Sequence, residues 1–124
     1  MIPTDIKLRQ KSKKLELVFE GGESYSFAYE FLRVYSPSAE VRGHSPEQAV
    51  LQLNKVSVGV SKVDLIGNYA LKITFDDGHD TGLYSWDYLR ELHTQKERYW
   101  ATYLDKLKSE GHDREKWIKM AGEE

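Results

Sequence analysis

Apolar positions along the chain fall into two copies of one pattern. In LELVFEGGESYSFAYEFLR (15–33) they alternate at Leu15, Leu17 and Phe19, and in LKITFDDGHDTGLYSWDYLR (71–90) they alternate at Leu71, Ile73 and Phe75. A period of two marks a half-buried strand. Each copy then carries an acidic, glycine-bearing turn, EGGE or DDGH, in which Gly22 aligns with Gly78. Such a turn between apolar runs predicts a hairpin. Phe27 aligns with Leu83 in the second short strand, and after one inserted residue Leu32 and Arg33 align with Leu89 and Arg90, where a helix begins. The pattern predicts two strand–turn–strand–helix units. They can share a core between their sheets or complete one mixed sheet.

The rest of the chain is read around these units. Ile6 and Leu8 in TDIKLRQ predict a further strand, joined to Lys14–Phe19 by a turn at 10–13. Pro37, Gly43 and Pro46 make 36–46 a loop, with Ser45 capping a short helical turn that starts at Pro46. VSVGVSKVDLIG (56–67) is β-branched and reads as a strand, Gly59 marking a bulge or an end, and Gly67 with Asn68 reads as a turn. Ser85 is placed to cap a helix in which Trp86, Leu89, His93, Trp100, Tyr103, Leu104 and Leu107 fall largely on one face. TQKER (94–98) interrupts that stripe, so a bend or break is expected there, and Gly111 ends the helix. DREKWIKM (113–120) predicts a short helix docking Trp117 and Ile118, followed by a frayed AGEE.

The expected fold class is therefore α+β. Two strand–turn–strand–helix units form a small mixed or antiparallel β core, with a long C-terminal helix and a short tail helix. Residues 1–110 form the domain and 111–124 a short, partly frayed helical tail.

Composition changes this picture little. The 124 residues are 40% hydrophobic and 31% charged, as in an ordinary globular domain. Net charge is −2, from 18 basic and 20 acidic residues, which is no global nucleic-acid footprint. Lys7, Arg9, Lys11, Lys13 and Lys14, opposed only by Asp5, are the exception. Lysines guarding an edge strand are favoured over a phosphate- or acid-binding arm. No apolar run reaches the ~18 residues of a membrane span, and MIPTDIKLRQKSKK lacks the apolar core of a secretory signal. The chain has no cysteine, which excludes disulfides and thiolate chemistry and is consistent with a cytoplasmic location.

Candidate chemistry is sparse. No phosphate-binding loop, dinucleotide fingerprint, zinc-protease helix or nucleophile elbow occurs. Asp76 and Asp77 read first as turn formers. With Asp80 and His79 they make a candidate oxygen–nitrogen metal site, against the favoured reading of a polar hairpin loop. His44 and His112 have no local partners, and His93 reads as a core or boundary histidine. Tyr25, Tyr29, Tyr35, Tyr69, Tyr84 and Tyr88 cluster around the two units, where packing accounts for them. Only Arg33, Arg42 and Arg90 lie near them, which disfavours an RNA-stacking surface.

GNYALKITFDDGHDTGLYSWDYLREL (67–92) and LRVYSPSAEVRGH (32–44) resemble the gamma-butyrobetaine hydroxylase-like N-terminal domain, a likeness covering about residues 5–93. The resemblance implies a domain found in small bacterial proteins of unknown function. It also implies a domain that precedes the iron- and oxoglutarate-dependent oxygenase of carnitine-pathway hydroxylases and is appended to iron–sulfur carriers in plastids. For the hydroxylases it implies a structural zinc held by a C-x-C-x-x-C knuckle and a distant histidine. Those ligand positions fall on Ser36, Ser38, Val41 and His79. Serine hydroxyls stay protonated near neutral pH, valine cannot ligate, and zinc affinity in such sites rests on thiolates. The expectation is a degenerate zinc site whose 36–41 loop still lies beside His79, held by hydrogen bonds. No H-x-D iron motif with a suitable partner occurs, so oxygenase activity is not expected of this chain.

The functional expectation is a non-enzymatic accessory domain that binds another protein, an oxygenase or an iron–sulfur assembly factor, without a cofactor. The alternative is iron or zinc binding by His79 with Asp76, Asp77 and Asp80. Arg33, Arg42 and Arg90, with His79 and Asp80, are the candidate interaction surface. The favoured reading of the arginines has each bridging an acid of its own unit, such as Glu30 or Asp87.

Overall fold

The computed structural model describes residues 2–43 and 49–122. Two separate three-stranded antiparallel sheets carry the fold. The first contains β1 (Asp5–Arg9), β2 (Lys14–Val18) and β3 (Ser24–Ala28) in that order and runs directly into α1 (Tyr29–Val34). A short α2 (Ala39–Arg42) follows. The second sheet contains β4 (Val60–Ile66), β5 (Ala70–Phe75) and β6 (Leu83–Ser85), again in sequence order, and runs into α3 (Trp86–Thr94). Two more helices close the chain, α4 (Lys96–Ser109) and α5 (Arg114–Ala121). Each sheet is thus a three-strand meander followed by a helix, with β1 and β4 as the first strands.

Among the described residues no mixed sheet forms. The two sheets share one core instead, in which Leu15, Leu17 and Phe27 of the first sheet cluster with Leu71, Ile73 and Tyr84 of the second, joined by Leu89 and Leu92 of α3. Each of these side chains is 1% exposed or less. Burying one such side chain is worth about 1.5–3 kcal/mol, so the core couples the units more strongly than any single polar contact.

Register corrects one alignment. Leu15 pairs with Phe27, whereas Leu71 pairs with Tyr84 rather than Leu83. Tyr84 is fully buried and Leu83 is 45% exposed. The inserted residue therefore lies in the second hairpin, before β6. A shift of one residue exchanges the faces of a strand, and the tyrosine takes the inner face because its hydroxyl donates to the Leu32 carbonyl.

Other boundaries also differ from expectation. Residues 56–59 are not strand: the Val58 N–H donates to the Lys55 carbonyl at 3.2 Å, closing a turn, and β4 starts at Val60 with a bulge before Lys62. Gly59 precedes the strand, where a Cβ would lie 2.6 Å from Asp76 Oδ2. The 36–46 loop contains α2, while the expected cap at Ser45 and Pro46, like His44, lies outside the described residues. Ser85 does cap α3, accepting from the Tyr88 N–H at 3.1 Å. The long helix breaks at Gln95, inside TQKER. Gly111, at φ +81°, ends α4 in the left-handed region that favours glycine. Trp117 packs with Val34, Tyr103 and Leu107, but Ile118 stays 41% exposed and does not dock. Among the described residues, no helix is long and apolar enough to cross a membrane.

Candidate functional site at the junction of the two units

The β5–β6 hairpin starts with a tight turn. The Phe75 N–H donates to the His79 carbonyl at 3.0 Å and the Gly78 N–H to the Phe75 carbonyl at 3.1 Å, with Gly78 at φ +91°. This turn carries His79 inward, where it is 8% exposed. The loop after α1 comes to meet it. Ser36 Oγ stands 2.7 Å from His79 Nε2 and Ser38 Oγ 3.3 Å from the same nitrogen. Both serines are buried, as is Val41. The 36–41 loop thus lies beside His79 and is hydrogen-bonded to it. Gly82 makes this approach possible, since a Cβ there would run into Ser36 Oγ and stand 3.1 Å from Pro37 Cδ. Tyr84 and Tyr88 fix the start of the loop by donating to the carbonyls of Leu32 and Tyr35.

A second polar cluster adjoins the first. Arg33 Nε donates to Asp77 Oδ2 at 2.9 Å and its Nη1 to Gln52 Oε1 at 2.9 Å. Lys55 Nζ donates to the same Asp77 oxygen at 2.7 Å, and the His79 N–H donates to the other at 3.2 Å. Burial alone would raise the Asp77 carboxyl, but the hydrogen bonds from Lys55, His79 and Arg33 outweigh it and hold it down at about 2. His79 is shifted low as well. Burial disfavours its imidazolium, and Arg33 adds to that effect, against the opposing pull of Glu40 and Asp77.

The expected site residues divide accordingly. Arg33 bridges to the other unit's Asp77 rather than to Glu30, which is held by Arg114 at 2.6 and 3.0 Å. With its side chain 9% exposed, Arg33 offers little to a partner. Arg42 lies over the Tyr88 ring at 4.6 Å, and Arg90 bridges Asp87 of its own helix at 3.7 Å. Residues two apart on a helix face different ways, so Tyr88 and Arg90 do not place these arginines on one patch. His93 stacks on Tyr25 with centroids 4.0 Å apart, as a boundary histidine would. Gln52, Lys55 and Gly82 were not legible as site residues. The first two lie in an irregular segment without a motif, and the third matters only through a loop distant in sequence.

The acids do not gather around His79 as a metal site requires. Asp77 is held by Arg33 and Lys55, Asp80 stands 4.0 Å from Lys72, and the Asp76 carboxylate lies against Gly59. Among the described residues, no three His, Asp or Glu side chains converge on one point. The knuckle positions supply one imidazole, two neutral hydroxyls and a valine, a donor set that does not fit zinc. Glu40 Oε2 stands 3.5 Å from His79 Nδ1, so Ser36, His79 and Glu40 follow the order of nucleophile, base and acid. Ser36 is only 1% exposed, however, and its oxygen accepts the Ser38 N–H at 3.3 Å. The group works as a latch between the units.

Residues 6–90 match the family described as gamma-butyrobetaine hydroxylase-like, N-terminal. The chain belongs to that family. Solved structures share the fold. One structure, solved in solution by NMR, is 53% identical, with 91% of this chain and 89% of that chain covered and a TM-score of 0.77. A second NMR structure is 44% identical, covering 90% and 83%, also with a TM-score of 0.77. A crystal structure of a DUF971-family protein of unknown function from Acidithiobacillus ferrooxidans is 33% identical, covering 73% and 91%, with a TM-score of 0.60. No curated protein matches the chain.

Proposed function

We propose that this gamma-butyrobetaine hydroxylase-like N-terminal domain is a non-enzymatic accessory module that binds another protein, an oxygenase or an iron–sulfur assembly factor in the cytoplasm. The observation that carries this reading is the Ser36–His79 hydrogen bond, 2.7 Å long and buried at the unit junction. The polar groups gathered there are turned on one another. Arg33, Asp77 and Lys55 are likewise spent in joining the units. Hydrogen bonds take over the joining role that the family resemblance assigns to a metal, and they leave a rigid two-unit body suited to presenting surfaces. The class of partner follows from the oxygenase and iron–sulfur carrier domains with which the resemblance associates this one.

Affinity capture of the full tagged chain at its native expression level, read by quantitative mass spectrometry after mild crosslinking, tests the proposal. One protein recovered in near-equimolar amount is the expected result. Repeated recovery of nothing above the tag-only control, or turnover of a small molecule by the purified chain, overturns it.

A further inference from the structure

Sheet edges carry unpaired N–H and C=O groups, and proteins blunt them with charge, bulges or brevity. Of the four edge strands among the described residues, three are blunted. β1 carries Lys7 and Arg9, β4 carries Lys62 and Asp64 with a bulge, and β6 has three residues. β3 is different. Its sequence SYSFA has no charge and no proline, and its register is regular from Ser24 to Ala28.

The ladder shows which β3 groups face outward. Hydrogen bonds from Phe19 N–H to the Glu23 carbonyl, and from Tyr29 N–H to the Lys13 carbonyl, lie at the two ends of the β2–β3 pairing. Bonded and non-bonded pairs alternate in an antiparallel ladder. Phe27–Leu15 and Tyr25–Leu17 are therefore the bonded pairs, and Ser24, Ser26 and Ala28 direct their amides away from β2. All three residues are exposed. The Ser26 carbonyl, on the same side, accepts from Lys96 Nζ at 2.9 Å.

A groove of about 550 Å³ adjoins this edge, bounded by Ser26 and Ala28 on one side and by α4 on the other. Its apolar lining is Phe31, Trp100 and Leu104, and its cations are Lys14, Lys96 and Arg114. Arg114 neutralises Glu30 through two hydrogen bonds. Lys14 and Lys96 then outweigh Glu97, and the groove is net positive.

We propose that the β3 edge is a peptide-docking site, at which an extended acidic segment of a partner protein adds as a fourth strand. Alternate side chains of that segment point to opposite faces. One set lies on Phe31, Trp100 and Leu104, and the acidic set reaches Lys14 and Lys96. Lys96 releases the Ser26 carbonyl to the incoming amide and turns to the acidic side chain. Backbone hydrogen bonds supply affinity and the alternate side chains supply specificity. The inference rests on the protein-binding reading above and names the surface and the kind of partner.

The probe is an acetylated, amidated hexapeptide alternating Asp with Val, titrated into the labelled full chain by amide NMR. The Ser24, Ser26 and Ala28 amides are expected to shift and to exchange more slowly. Ser26→Pro removes only an outward N–H, which an edge strand tolerates, and weakens binding at least about tenfold. The same peptide N-methylated at alternate residues binds the parent chain at least about tenfold more weakly, a comparison that stands even if the proline variant fails to fold. The joint variant Lys14→Glu/Lys96→Glu also weakens binding. No amide shift at about 1 mM peptide, the weak end of specific recognition, or equal binding of the N-methylated peptide, overturns the proposal. A captured partner that Ser26→Pro still retains defeats the edge and leaves the accessory-module reading intact. A peptide that binds the edge with no cellular partner captured does the reverse.

Discussion

In the β2–β3 hairpin, the Phe19 N–H donates to the Glu23 carbonyl at 2.8 Å and the Gly22 N–H to the Phe19 carbonyl at 3.1 Å. The β5–β6 hairpin repeats both bonds with Phe75, His79 and Gly78, at 3.0 and 3.1 Å. Gly22 and Gly78 share a φ of +91°. The turns share these bonds but not every dihedral, since Gly21 takes φ +92° where the equivalent Asp77 has no positive φ, and they serve different ends. Glu23 is exposed, whereas His79 is 8% exposed and bonded to the other unit. Asp77 binds Arg33 and Lys55, and the equivalent position in the first hairpin is Gly21. Turn geometry is set by a few neighbouring residues. What a turn does is set by what folds against it, and among the described residues only the second has a loop from the other unit laid across it.

Substitutions should separate the two roles. The largest expected effect is that of Asp77→Ala, which leaves the buried Arg33 without its carboxylate. Breaking a fully buried pair costs about 3–5 kcal/mol. Because the Asp77 side chain is 25% exposed, solvent screening reduces the expected loss to about 2–3 kcal/mol. Glu23→Ala in the other hairpin should stay within about 0.5 kcal/mol. Urea midpoints at unchanged m-value measure both, and equal costs would break the comparison.

Next in size are Gly22→Ala and Gly78→Ala. A side chain at positive φ costs roughly 1–2 kcal/mol, and neither added Cβ meets a neighbour within 4 Å. The two losses should agree within about 0.5 kcal/mol. A markedly larger loss at Gly78 would show that the latch strains its turn.

The smallest expected effect is on pH dependence. Because His79 is shifted low in the fold, the unfolded chain takes up its proton first as pH falls through about 6.5. Stability is therefore fully present above that pH and declines below it, until the folded imidazole also titrates. His79→Gln should flatten this decline between pH of about 7 and 5, the window below the ordinary histidine value. Placing a histidine in the exposed turn by Glu23→His should add no decline of its own. Thermal melts across pH measure both, and an unchanged slope in His79→Gln would remove the latch histidine from the account. The Asp77 contribution falls in a separate window. Its carboxyl is held at about 2, so its stabilisation is present above the ordinary aspartate value of about 3.9 and fades only as pH falls below it.

Much of the local structure was legible. Alternation at Leu15, Leu17 and Phe19 and at Leu71, Ile73 and Phe75 marked β2 and β5, the acidic glycine turns marked both hairpins, and Ser85 marked the start of α3. The break at Gln95 followed from the interrupted apolar stripe. The contact between the 36–41 loop and His79 was expected from the family resemblance, which tied together segments some forty residues apart. Register in the second hairpin was misread, because Leu83 looks the more apolar residue and the core chose Tyr84 for the reach of its hydroxyl. The partner of Arg33 was also misread, because Glu30 is near in sequence and Asp77 is near in space.

Most strands, turns and caps of this protein were set locally, since they depend on residues within a few positions of one another. Sequence by itself also determined that the knuckle positions hold no thiolate, which is a matter of atom types. Only the tertiary structure decided that the two meanders form separate sheets around one core, and that Arg33 crosses between units. It alone decided that β3 is left with an open, basic-rimmed edge. Those outcomes depend on which surfaces meet, and that is fixed by burying the inner faces of both sheets together, where every side chain competes for the same volume.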